Sequence, residues 1–64
     1  MKKENKRRAW MLQFENTLIP LVPELRGKID WDTATYLYNK GTTPEQAATS
    51  VAYSFRVEGM KNEN

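Results

Sequence analysis

Asp30 and Asp32 form the closest carboxylate pair in the sequence. Paired carboxylates can share a proton or hold a metal ion, but only where they converge on one point. Residues two apart on a helix do not face each other. Both positions also suit the start of a helix. Asp30 can accept from backbone N–H groups left free there, and Asp32 meets the positive end of the helix dipole. Capping therefore explains the pair without chemistry. Ser50, Tyr53 and Ser54 offer hydroxyls, but a hydroxyl nucleophile needs a neighbouring base. The chain has no histidine and no cysteine, and no lysine lies close to these three in sequence. Its three glycines are isolated, so no phosphate-cradling loop is encoded. We expect no catalysis, no cofactor, no bound metal and no small-molecule substrate.

The cations are the next candidates. Residues 1–8 carry Lys2, Lys3, Lys6, Arg7 and Arg8 against Glu4, a net +4, whereas residues 9–64 carry five cations against seven carboxylates, a net −2. The overall charge of +2 therefore belongs to a basic arm and not to the body. Such an arm either solubilises a partly disordered terminus or contacts phosphates in a salt-sensitive way. It has no interleaved aromatics on which bases could stack.

These residues must be positioned by a small fold. Sixty-four residues make one domain, with 39% hydrophobic and 28% charged residues, near ordinary globular composition. Seven aromatics argue against disorder. No apolar run approaches the roughly 20 residues that span a bilayer. We expect a soluble, cytoplasmic protein. The starting methionine and polar end suggest a whole small protein.

Helical spacing dominates the apolar pattern, so the expected fold is all-α: a small three-helix bundle over residues 9–58. The basic arm, residues 1–8, is partly disordered or starts the first helix. A short, flexible, disordered tail occupies residues 59–64. The first helix is expected over about 5–18, with Trp10, Met11, Phe14 and Leu18 on one inward arc. Pro20 should end it, because its ring clashes with the preceding turn and biases Ile19 toward an extended backbone. Residues 19–29 should cross the bundle, with a short helical turn after Pro23. The second helix, about 31–39, starts at the Asp30 cap and stops at Lys40-Gly41. The third, about 44–57, starts at Thr43-Pro44-Glu45-Gln46, the pattern of an N-cap, a first-turn proline and a capping-box partner. Gly59 should end it.

Three functional readings follow. Helices two and three, joined by Gly41-Thr42-Thr43, have the order of a DNA-binding helix-turn-helix. Gln46, Thr49 and Ser50 would then lie near the base-reading end. Leu37, however, stands where that motif usually has a small residue. Residues 41–52 also resemble ubiquitin-associated-type three-helix domains, which join two helices through a glycine-containing loop followed by spaced alanines. Ser50 replaces the second of those alanines and Thr42 the hydrophobic residue after the glycine. The resemblance thus implies hairpin geometry and not a shared partner. Pro20-Leu21-Val22-Pro23 matches the minimal P-x-x-P pattern, but Leu25 stands where the expected cation would be.

The reading we favour is a non-catalytic module acting through protein–protein contacts with another protein or a second copy of itself. Leu12 and Ile19 fall off the inward arc of the first helix, and Tyr36 and Tyr53 fall at the edges of theirs. These four are the expected contact surface. The alternative is a small DNA-binding or accessory regulatory protein using the arm and the third helix.

Overall fold

The computed structural model describes the backbone of residues 2–62 and the side chains of residues 6–58. The fold is all-α, a small three-helix bundle. In chain order it comprises α1 (Lys2–Leu21), a 3-10 turn (Pro23–Leu25), α2 (Trp31–Lys40) and α3 (Pro44–Asn62). Among the described residues there is no strand, and no helix is long and apolar enough to cross a membrane.

Cross-chain pairs set the directions. Trp10 bonds the Thr42 carbonyl, Gln13 bonds Glu45, and Arg56 bonds the Leu21 carbonyl. Residues advancing along α1 thus meet residues advancing along α3, so these helices run parallel. α2 packs across α1, with Trp31 at Phe14, Tyr38 at Trp10 and Thr35 at Arg7.

The core is asymmetric. Its three large buried side chains, Phe14, Leu18 and Val22, all come from α1 and its immediate extension. The other two helices contribute Ala34, Ala47, Ala48 and Ala52. Large side chains from one helix thus pack onto the small-residue faces of two others, which lets the backbones approach closely.

Helix ends follow local chemistry. The Asp30 carboxylate accepts from the Asp32 and Thr33 N–H groups at 3.1 and 3.4 Å. Gly41 closes α2 at φ +89°, with its N–H directed at the Leu37 and Tyr38 carbonyls. Thr43 Oγ1 accepts from the Gln46 N–H at 3.2 Å, which gives one half of the expected capping box. No return bond from the Gln46 side chain is present among the described hydrogen bonds.

Three helix ends differ from expectation. First, α1 runs through Ile19 and Pro20 to Leu21 instead of ending at residue 18. Proline forfeits one backbone bond, but in a last turn that loss is small. The following bond, Val22 N–H to the Leu18 carbonyl at 2.8 Å, is intact. Burying Leu18 and Val22 completely is worth about 1.5–3 kcal/mol each and outweighs the pre-proline bias. Second, α1 begins at Lys2 and not near residue 5, so the arm takes the second of its two expected forms, the start of the first helix. Third, α3 passes through Gly59 to Asn62, so most of the expected tail is helix. A glycine costs a helix about 1 kcal/mol relative to alanine and does not by itself stop one. Residues 63–64 lie outside the described residues.

Candidate functional site

The connection between α2 and α3 is so short that the helices touch at Gly41 and diverge from it. The buried positions on both helices are small, Ala34 on α2 and Ala47, Ala48 and Ala52 on α3. Too little side-chain volume is available to fill the wedge. A groove of about 420 Å³ remains open there. Phe14 and Leu18 form its floor, Leu37 and Val51 its walls, and Tyr36 and Phe55 its lips. Leu25 and Ile29, from the segment that crosses the bundle, close one end.

Both lips are exposed, Tyr36 by 60% and Phe55 by 38%. Each lies near a cation: Lys40 Nζ is 5.3 Å from the Tyr36 ring centroid, and the Arg56 guanidinium is 5.8 Å from that of Phe55. Polar groups occupy the rim, namely Lys28, Asp30, Thr33, Ser50, Ser54 and Glu58. The Asp30 carboxylate is spent on the α2 cap, where it also accepts from Thr33 Oγ1 at 3.0 Å. Ser50 and Ser54 have no imidazole or thiolate within the chain to activate them. An apolar floor under a polar rim is the chemistry of a binding surface.

The structure does not bring the four expected contact residues together. Tyr36 stands at the lip of the groove. Ile19, half-buried, lies in a separate shallow depression with Glu15, Asn16, Pro20 and Arg26. Leu12, 54% exposed, and Tyr53, 71% exposed, line neither concavity. Leu12 and Ile19 share the outward side of α1 two turns apart, whereas Tyr53 projects from the outward side of α3.

Phe55 and Leu37 also line the groove, and neither was among the contact residues expected from the sequence. The available signal was the run of alanines at 47, 48 and 52. It implied that the large side chains on either side of it would be incompletely covered.

The candidate nucleic-acid residues divide in the same way. Lys6, Arg7 and Arg8 are exposed, and Arg7 Nη2 reaches Thr35 Oγ1 at 3.4 Å. Gln46, Thr49 and Ser50 are exposed on one strip of α3. Thr49 Oγ1 donates to the Glu45 carbonyl at 3.0 Å. The side chains of Lys2 and Lys3 lie outside the described residues.

No protein-family model, no curated protein and no solved structure matches this chain.

Proposed function

We propose that this chain is a non-catalytic binding module that acts through protein contacts, with the groove between α2 and α3 as its contact surface. The observation that carries the reading is the groove itself: a concave, predominantly apolar surface with two exposed aromatics at its lips. Aromatic side chains bury large areas at low conformational cost and anchor many interfaces. The occupant is an apolar face of another protein, with a helix of matching width as its simplest form.

Single changes at the rim test this without disturbing the core. Ser54 is exposed, so Ser54→Arg should leave the fold intact while placing a charge in the groove. A partner retained by the wild type should be lost with Ser54→Arg and weakened at least about tenfold by Tyr36→Ala, the loss expected of an interface anchor. Binding should survive Leu12→Ala and Tyr53→Ala. Partner binding that ignores the groove variants and follows Leu12 or Tyr53 would overturn the assignment. Mass that rises with concentration in sedimentation, and falls back with Ser54→Arg, would identify the occupant as a second copy.

A further inference from the structure

The start of α1 extends past the start of α3. Gln13 meets Glu45 at the beginning of α3, and Trp10 meets Thr42 in the turn before it. Lys6 precedes Gln13 by seven residues, about 10 Å along the axis at 1.5 Å per residue. Lys6, Arg7, Arg8 and Ala9 are all exposed.

The three cations leave the helix in different directions. Seven residues are almost two full turns, so Lys6 points to the same side as Gln13, toward α3. Arg7 points over α2, where it reaches Thr35. Arg8 points outward. Among the described residues the ion pair is Arg56–Glu24, at the opposite end. Asp30 and Glu58 flank the groove at that end too. Glu45, the carboxylate nearest the overhang on α3, is engaged by Gln13. The overhang thus carries cations with no free carboxylate beside them among the described residues, whereas at the other end Glu24, Asp30 and Glu58 are accompanied by Arg26, Lys28 and Arg56.

We propose that the cationic end binds duplex nucleic acid. Lys6, Arg7 and Arg8 contact phosphates, while the first turns of α3 present Gln46, Thr49 and Ser50 to a groove. Phosphates line both walls of a groove, so cations diverging from one helix can be used together. The first turns of α3, which lie beside Gln13 and not beside Lys6, offer uncharged hydrogen-bonding groups, the kind that read base edges. A membrane surface fits less well, because residues 6–9 carry no large apolar side chain to insert. This proposal shares Ser50 with the rim of the groove but does not depend on the groove's having an occupant.

The test is binding of a fluorescent random-sequence DNA duplex between about 50 and 200 mM salt. The wild type should bind at the lower salt and weaken steeply as salt rises. Replacing the three cations (Lys6→Gln, Arg7→Gln, Arg8→Gln) should flatten the slope of log affinity against log salt by about 2.7, at 0.9 for each phosphate no longer neutralised. Gln46→Ala with Thr49→Ala should weaken binding and leave the slope unchanged. All five side chains are exposed, and a thermal melt verifies that each variant folds. No duplex binding by the wild type at the lower salt would overturn the proposal. A triple variant with the wild-type slope would do the same, as would binding to phosphatidylserine vesicles but not to DNA.

Discussion

Trp10 ties α1 to α2 and to the turn that precedes α3. Its indole Nε1–H donates to the Thr42 carbonyl at 2.9 Å. Its ring stacks on Phe14 at 5.4 Å and meets Tyr38 edge-on at 5.5 Å. The hydrogen bond ties α1 to the turn between α2 and α3. Trp10→Phe keeps a ring and removes the N–H. The Thr42 carbonyl is then left without that donor in a part-buried position, at an expected cost of about 1–2 kcal/mol. Chemical denaturation measures this directly, and a loss below about 0.5 kcal/mol would show that the bond does not hold the turn. The inward position of Trp10 was legible from its spacing with Phe14 and Leu18. Its partner was not, because a carbonyl 32 residues away comes within reach only after two chain reversals.

At the scale of elements, the α2–α3 hairpin depends on one backbone conformation. Gly41 sits at φ +89°, and no atom lies within 4 Å of where a Cβ would be. Replacing it therefore meets strain but no collision. Gly41→Ala should cost about 1–2 kcal/mol, the penalty for a left-handed L-residue, with the groove unaltered. A thermal melt checks the cost. Unchanged stability would mean that the turn relaxes to another conformation. This element was readable in advance because its determinants are local: Asp30 before it, Lys40-Gly41 after it, then Thr43-Pro44. The end of α1 was not. Pro20 argued for a stop by local rules, but burial of Leu18 and Val22 carried the helix one turn further.

For the whole molecule, a single side chain closes the far end of the bundle. Arg56 of α3 donates to the Leu21 carbonyl at 3.0 Å and to the Glu24 carboxylate at 3.1 Å. It thereby satisfies a carbonyl at the end of α1, which has no basic residue in its own last turn. A backbone hydrogen bond at Glu24, and then the Arg56 guanidinium, hold the Glu24 carboxyl below its ordinary range. A depressed folded value means the stabilisation is fully present above the unfolded pKa, about 4.3. It is lost as pH falls through the lower folded value. Thermal stability should therefore decline on acidification below about pH 4.3. Glu24→Gln should lack that part of the decline, and added salt should shrink it, since both side chains are half exposed. An identical pH profile in Glu24→Gln would exclude this carboxylate as its source.

The sequence by itself determined what depends on neighbours along the chain. This includes the all-α class, the starts of α2 and α3 at Asp30 and Thr43, the left-handed stop at Gly41, and the separation of a cationic arm from a mildly anionic body. Tertiary structure alone decided which apolar side chains share a surface. Leu12, Ile19, Tyr36 and Tyr53 all stood off or at the edge of their helical faces, yet only Leu12 and Ile19 share a side once the helices are packed. Helical periodicity fixes a side chain's direction only relative to its own axis. The groove that unites Tyr36 and Phe55 arises from the packing of separate helices, which no single helix's periodicity encodes.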